Sequence, residues 1–410
     1  MNYKNGLKSI LIKNPNSLSA SVVVFVRTGA VNEKPEQAGL SHFLEHLIFK
    51  GSKNYPGDLM SRNVENLGGY INAATSKEWT MYYINIQKDG VEESVKMLAD
   101  AIENPIFPQN EIDRERKVVI EEIQRHSDNP ISVLYEKHYE LLYPQSTLKN
   151  SIIGTENVIS NISATEIYNY HKTHYIPENM VVAVSGNFDE NKISKIIDDS
   201  FGKIKKTYTG YEPIFLRHFQ EKRDWTHYGK VEVGYMISGF LGPDIDDDNI
   251  YTADIAAHIL GGSKSSRLYR KLYEEKHIVY SINSGFMSEK GNGNIYIISI
   301  FNTENIEYIK EEIATQLNDI ISNGISNEEL ERAKISAKTD WSFSKETPFD
   351  VANTLAFWQL LGNPDFPKKY IEKIENLTSQ DISKFFEKHY SLSKLTNAAI
   401  VPKEKVTLNP

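Results

Sequence analysis

The sequence predicts an α+β protein made of two structurally similar halves, each with a sheet packed against helices. Short apolar runs, at residues 9–12 and 21–26 for example, come before longer stretches with helical periodicity. The same order of strands and helices returns beyond residue 229. At 410 residues, the chain is also longer than one ordinary domain. Together these observations indicate a duplicated fold.

The elements of the first half follow from its apolar pattern. Apolar runs predict strands at residues 9–12, 21–26, 82–87 and 180–185. Helical periodicity predicts helices at residues 37–50, 57–67, 91–103, 109–126, 132–142 and 163–173. The segment 206–228 contains Gly210, Pro213 and mixed charges and has little periodicity, which is typical of a linker.

The second half repeats this order after the linker. Strands are predicted at residues 231–238, 278–287, 293–300 and 398–402, and helices at 248–260, at 266–275 and further along. The last strand corresponds in position to the strand that precedes the linker. We therefore predict an N-terminal α+β domain at 1–205, a linker at 206–228 and a C-terminal α+β domain at 229–410.

The composition excludes several classes of protein. Cysteine is absent, so disulfides and thiolate ligands are ruled out, and any metal must bind nitrogen and oxygen atoms. The net charge of -9, with both signs mixed along the chain, gives no basic surface for nucleic acid. We find no apolar run of about 18 residues for a membrane span, and no export signal at the start. These features predict a bacterial cytoplasmic protein.

The segment around residue 45 carries the clearest chemical signal. On a helical wheel, His42, Glu45 and His46 share one side of an otherwise apolar helix. Two imidazoles four residues apart can bind one zinc ion, and the glutamate can accept a proton from water. Such a histidine pair alone is usually part of a hydrogen-bonded core, but three buried titratable groups would be costly without a metal. We therefore predict two zinc ligands, His42 and His46, and a catalytic Glu45.

A third ligand must come from elsewhere, because a catalytic zinc normally has three protein ligands and one open position. The predicted helix at 109–126 places Glu115 and Glu122 at the edge of its apolar side, while Glu121 points away. We predict Glu122 as the third ligand and Glu115 as a partner that orients a histidine. Paired glutamates at this spacing more often belong to a solvated surface, so the prediction depends on the histidine pair.

These residues resemble the pitrilysin-like zinc peptidases of family M16, in particular the half-size members (subfamily B) related to mitochondrial processing peptidase. The inverted zinc motif of that family, His-x-x-Glu-His, matches residues 42–46. The family's third ligand follows in a Glu-Arg-x-x-x-x-x-Glu stretch, which residues 115–122 match. The resemblance implies a LuxS/MPP-like metallohydrolase fold in each half and one Zn2+ per chain. It also implies an edge strand, with Asn72 and Ala73, that binds the peptide substrate.

One position departs from the family's pattern. Catalytically complete relatives carry an arginine and a tyrosine seven residues apart in the C-terminal half, where they bind substrate carbonyls and the developing oxyanion. Tyr280 matches the tyrosine and is our candidate for substrate binding, but Tyr273 stands where the arginine is expected. Arg267 is an alternative source of the positive charge, although a helix-surface role fits it better.

In heterodimeric relatives of this family, the zinc subunit lacks this pair and a related partner chain supplies it. The resemblance therefore implies a zinc metalloendopeptidase that cleaves peptides or unfolded protein segments as the catalytic subunit of a heterodimer. An active homodimer and a non-catalytic assembly subunit are the alternatives. The sequence implies neither a nucleic-acid partner nor a membrane partner.

Overall fold

The computed structural model describes residues 1–205, 212–215 and 221–403. This part of the chain forms two compact units. The described residues of the first unit belong to Met1–Arg125, Asn150–Ile214 and Ser342–Pro367. Those of the second unit belong to His126–Lys149, Phe215–Trp341 and Lys368–Pro410.

The first unit contains a mixed five-stranded sheet. Its strands are β1 (Lys8–Lys13), β2 (Ser19–Val26), β3 (Tyr70–Thr75), β4 (Thr80–Gln87) and β5 (Met180–Gly186). Their spatial order is β1-β5-β2-β4-β3. β1 and β5 are parallel, and the other neighbours are antiparallel. β3 therefore lies at one edge, where it pairs with β4.

The second unit contains a sheet of the same design. Its strands are β6 (Asp224–Gly229), β7 (Gly234–Leu241), β8 (Val279–Met287), β9 (Asn294–Phe301) and β10 (Thr396–Pro402). Their order is β6-β10-β7-β9-β8, again with one parallel pair, β6 and β10. Each strand has a counterpart at the same place in the first sheet. The predicted fold class, two similar α+β halves, is confirmed.

The helices are also arranged in two series along the chain. The first series is α1 (Leu40–Ile48), α2 (Leu59–Asn66), α3 (Val91–Glu103), α4 (Gln109–Asp128), α5 (Pro130–Leu142), α6 (Glu156–Asn161), α7 (Ala164–His174) and α8 (Glu190–Asp199). The second series is α9 (Ile250–Gly261), α10 (Ile306–Asn323), α11 (Asn327–Phe343), α12 (Pro348–Leu361), α13 (Phe366–Glu375) and α14 (Ser379–His389). A π-helix, Tyr269–Glu275, precedes β8.

From Val22 to Val26, strand β2 is buried on both faces, which explains the uninterrupted apolar run of these five residues. Val22 and Val24 belong to the main core of the first unit, together with the apolar side of α1. Val23 and Phe25 point to the other face, where they pack with Ala352 and other residues of α12. Helix α1 therefore packs on one face of a sheet whose other face is covered by α12.

The compact units differ from the predicted domains by one helix each. α5 belongs to the second unit, because Leu134 packs there with Ile237 and Ile400. α12 belongs to the first unit, where it covers β2 and β5. The predicted boundaries of the two domains stay a prediction.

The predicted linker ends in a strand. Residues 206–211 and 216–220 of the linker lie outside the described residues, whereas its last residues, 224–228, form most of strand β6. This strand was not predicted, because its sequence, Asp-Trp-Thr-His-Tyr-Gly, has no apolar run. The other predicted strands and helices are present, with ends that shift by a few residues, and the helix predicted at 266–275 is largely the π-helix.

Candidate active site

Helix α1 begins at a glycine that no other residue could replace without strain. Gly39 at the N-cap has φ of 91°, in the left-handed region. A Cβ on Gly39 would also lie 2.6 Å from the carbonyl oxygen of Ile153. From this start, Phe43 and Leu47 are buried in the core, and His42, Glu45 and His46 form a half-buried polar side.

The three predicted ligands lie together. Ligand atoms of His42, His46 and Glu122 all lie within 4.8 Å of one another, and among the described residues they are the group that could hold a metal ion. Glu122 Oε2 is 3.6 Å from His42 Nε2 and 3.4 Å from His46 Nε2. The side chains are 14%, 18% and 33% exposed in the same order, so the group is shielded yet reachable from solvent.

Glu122 lies on the side of helix α4 that the helical wheel predicts. Ile112 and Val119 are fully buried and fix the inner side of α4, Glu122 is half-buried at its edge, and Glu121 is exposed. Glu115, seven residues before Glu122, lies on the same side. The assignment of these groups as zinc ligands and partner stays a prediction.

Glu115 contacts the outer nitrogen of one predicted ligand. Its Oε2 is 3.4 Å from His46 Nδ1, and its Oε1 is 2.9 Å from Lys50 Nζ. Burial alone would raise the pKa of Glu115, but the hydrogen bonds and charges of Lys50 and His46 hold it below its usual range. An ionised Glu115 favours the His46 tautomer with the proton on Nδ1, which leaves Nε2 free to face Glu122.

Lys50 was not among the predicted site residues. A signal was available, because Lys50 follows His46 by four residues and so lies on the same side of the chain at the end of α1.

Glu45 is held by a residue that was not predicted. Thr75 Oγ1, at the end of β3, donates a 2.7 Å hydrogen bond to Glu45 Oε2. Burial raises the pKa of Glu45, with the Glu122 carboxylate acting in the same direction, whereas Thr75 and His46 act against it. Strand alternation could have revealed this contact, since Thr75 and Ala73 point to the same face of β3.

The predicted substrate-binding pair lies on the edge strand. Asn72 and Ala73 are in the middle of β3, where they pair with Tyr83 and Tyr82 of β4. Asn72 is exposed, and its Oδ1 accepts a 2.8 Å hydrogen bond from the Ala73 backbone N–H. The structure therefore gives these residues an edge position, and their role with substrate stays a prediction.

The remaining predicted residue, Tyr280, belongs to the second unit. It lies on the edge strand β8, is 57% exposed, and donates a 2.7 Å hydrogen bond to Asn302 Oδ1. Tyr273 stacks on Tyr269 with ring centroids 4.7 Å apart. The guanidinium of Arg267 is bound by Glu329 and Asp319, at 2.6 and 2.7 Å, and by the carbonyl of Gly324. Arg267 therefore has a structural role in the second unit.

The fold and the site together define a class of α+β proteins that carry an inverted His-x-x-Glu-His metallopeptidase motif. The chain belongs to peptidase family M16, the insulinase family. The family's N-terminal model, "Insulinase (Peptidase family M16)", matches residues 8–156, and the "Peptidase M16 inactive domain" model matches residues 161–336. The family predicted from the sequence is confirmed.

Similar proteins carry protease names. The chain is 30% identical over 350 residues to the zinc protease YmxG of Bacillus subtilis. This alignment covers 84% of this chain and 83% of YmxG. It is 25% identical over 426 residues to the beta subunit of the mitochondrial-processing peptidase of Saccharomyces cerevisiae, covering 97% and 91% of the two chains.

Solved structures share the fold across almost the whole chain. A protease from Helicobacter pylori superimposes with a TM-score of 0.90, at 24% identity and 98% coverage of both chains. An M16-like peptidase from Alicyclobacillus acidocaldarius gives a TM-score of 0.81 at 20% identity, covering 98% of this chain and 97% of the other.

Within the described residues, none of the helices has the length and apolar character needed to cross a membrane.

Proposed function

We propose that this chain is a zinc-dependent metalloendopeptidase that cleaves peptides or unfolded protein segments. The observation that carries the proposal is the convergence of His42, His46 and Glu122, whose ligand atoms lie within 4.8 Å of one another. Glu45 lies on the same helix as the two histidines. The zinc-protease names of relatives such as YmxG support the same activity.

The donor set fits zinc. Two imidazole nitrogens and one carboxylate oxygen are three protein ligands, a number that leaves one position for water or substrate. The contact between Glu115 and His46 Nδ1 orients the ring, because a histidine bound to zinc usually donates its other N–H to a carboxylate. One zinc per chain is proposed.

A zinc ion bound here would polarise the scissile carbonyl and lower the pKa of water towards neutrality. Glu45 takes a proton from the attacking water while the water oxygen bonds to the carbonyl carbon. When the C–N bond breaks, Glu45 gives that proton to the leaving amine nitrogen. The raised pKa of Glu45 suits a group that must both take and give a proton, and Thr75 fixes its orientation.

The edge strand β3 supports the choice of an extended substrate. A peptide can add to this edge by main-chain hydrogen bonds, next to Asn72 and Ala73. Thr75, on the same strand, bonds to Glu45, so a peptide along β3 would run towards the proposed catalytic group. Folded proteins do not present a free extended segment, and we therefore expect flexible or unfolded chains as substrates.

The proposal includes a related partner chain. Tyr273 occupies the position at which complete relatives carry an arginine, so the Arg–Tyr pair would come from a partner subunit, with Tyr280 as the remaining local candidate. The similarity to a chain named as a subunit of the mitochondrial-processing peptidase supports this arrangement. A homodimer is the alternative, and the bacterial cytoplasmic location stays a prediction.

Metal analysis and a cleavage assay test the proposal. The purified chain should contain close to one zinc per chain, and it should cleave a fluorogenic unfolded peptide, either alone or after mixing with a second M16 chain from the same organism. Cleavage by the chain alone, with a dimeric mass, would select the homodimer. Absence of zinc would refute the proposal, and zinc without cleavage in any mixture would favour a non-catalytic assembly subunit.

Glu45→Gln separates the metal site from the chemistry. The amide cannot carry the proton, so we expect cleavage to fall by at least about 100-fold while zinc content stays the same. Glu65→Gln, an exposed change on α2, is the matched control and should keep the full rate. Cleavage at the wild-type rate by Glu45→Gln would contradict the proposed role of Glu45.

A further inference from the structure

The N-terminus of α1 is capped from outside the helix. Gly39 occupies the N-cap and has no side chain to accept hydrogen bonds from the first turn. The acceptor is Glu33, six residues earlier. Its Oε2 accepts from the Gly39 N–H at 2.7 Å, and its Oε1 accepts from the Ser41 N–H at 2.6 Å. One carboxylate thus satisfies two backbone donors of the helix that carries both predicted histidine ligands.

This cap costs desolvation free energy, because the Glu33 carboxylate is buried with only 2% of the residue exposed. Burial raises the pKa of Glu33 to about 7, even though the bonds to Ser41 and Gly39 and the charge of Lys77 lower it. A serine or aspartate at the N-cap cannot supply the acceptor here, because a Cβ on Gly39 would lie 2.6 Å from the Ile153 carbonyl oxygen. The carboxylate that caps α1 therefore comes from outside the helix.

The surroundings of Glu33 are fixed on two sides. Asn150 Nδ2 donates to the carbonyl oxygens of Ala30 and Glu33, at 2.9 and 3.3 Å. On the helix side, Ser41 Oγ is 2.7 Å from the Tyr170 hydroxyl, which is 3.0 Å from Thr28 Oγ1. We call Glu33 and the two backbone N–H groups that it binds the clamp. Both sides of the clamp are held by hydrogen bonds within the first unit, so α1 cannot shift or rotate without breaking these bonds.

We propose that Glu33 is a positioning residue for the metal-binding helix, which holds His42 and His46 in register with Glu122 through the backbone of Gly39 and Ser41. His42 directly follows Ser41, so the clamp ends one residue before the first ligand. The inference rests on the proposed function, because it concerns the affinity of the predicted zinc site. It adds a residue that neither contacts the ligands nor belongs to the His-x-x-Glu-His motif.

Glu33→Gln tests the clamp with little change in volume. A glutamine has one acceptor oxygen, so one of the two backbone bonds is lost. Zinc affinity is measured by competition with a chromophoric chelator, and the visible spectrum of the cobalt-substituted protein is recorded. We expect affinity to fall about tenfold or more and the spectrum to change. Unchanged affinity and spectrum in a folded Glu33→Gln protein would overturn the inference.

Glu36→Gln is the matched control, since Glu36 is exposed and lies in the same segment. It should leave affinity and spectrum unchanged. If Glu33→Gln does not fold, Tyr170→Phe tests the clamp instead. This variant removes only the hydroxyl that bonds Ser41 and Thr28. Tyr170→Phe should also weaken zinc binding, and wild-type affinity in this variant would overturn the clamp.

Hydrogen exchange of the zinc-free protein gives a readout that does not need the metal. Amides of residues 39–48 should exchange faster in Glu33→Gln than in the wild type and in Glu36→Gln. Equal exchange would overturn the clamp. A wild-type protein that binds no zinc would refute the proposed function, and hydrogen exchange alone would then decide whether Glu33 holds α1.

Discussion

The hydroxyl of Thr75 donates a 2.7 Å hydrogen bond to the carboxylate of Glu45, and this bond joins the edge strand β3 to helix α1. The strand that would receive a peptide and the group that would move the proton are thereby fixed to each other. The geometry of one cannot change without affecting the other.

Replacing Thr75 with valine should slow catalysis without removing the metal. The hydrogen bond holds the Glu45 carboxylate and lowers its pKa, so its loss should reduce kcat by about tenfold. The acid limb of the pH profile should move to higher pH, because Glu45 then stays protonated further up the scale. Thr75→Ser should restore both values. Loss of zinc in proportion to activity would assign Thr75 a structural role instead.

Two neighbouring glutamates of α4 should respond differently to the same change. Glu122→Gln replaces a charged oxygen ligand, so zinc should be largely lost on dialysis against a weak chelator. Glu121→Gln alters the exposed side of the helix and should keep one zinc per chain. Equal zinc retention by the two variants would contradict the assignment of Glu122 as a ligand.

The contribution of Glu115 to stability should depend on pH. Its pKa is lower in the folded protein than in the unfolded chain, so its stabilising effect is complete above pH 4.5 and disappears as the pH falls through the folded value. Glu115→Gln should therefore destabilise the zinc-free protein by about 1 kcal/mol at pH 7. The difference from wild type should shrink in urea unfolding at lower pH, and a constant difference would contradict this account.

Alanine substitutions at two glycines distinguish the cost of backbone strain from the cost of steric crowding. Both Gly39 and Gly57 have positive φ, but an added Cβ at Gly57 meets nothing within 4 Å. Gly57→Ala should cost about 1 kcal/mol from strain alone. Gly39→Ala should cost about 1–3 kcal/mol more, because the methyl group meets the backbone at Ile153. Thermal unfolding of both variants measures the difference, and equal losses would contradict it.

Much of the candidate site could be predicted because it lies on two helices. Helical periodicity alone places His42, Glu45 and His46 on one side of α1, and Glu115 and Glu122 on one side of α4. The distance between the two helices could not be derived in this way, and the resemblance to family M16 supplied the link. The ligand roles still await metal analysis.

The missed features depend on contacts between residues distant in sequence. Thr75 is a short polar residue whose contact with Glu45 exists only because β3 pairs with β4 beside α1. All six residues of strand β6 are exposed or half-buried, and the strand forms by parallel pairing with β10, about 170 residues further along. The placement of α5 and α12 likewise depends on which sheet offers an apolar face.

The short strand at the border of the first sheet has one more consequence. Any exposed strand border can recruit extended segments from neighbouring molecules and so start aggregation. Here the strand has six residues, and the Asn72 side chain covers the Ala73 N–H, so one main-chain donor is already occupied in the resting molecule. The occupied donor makes this border a poorer template for strand pairing between copies of the protein.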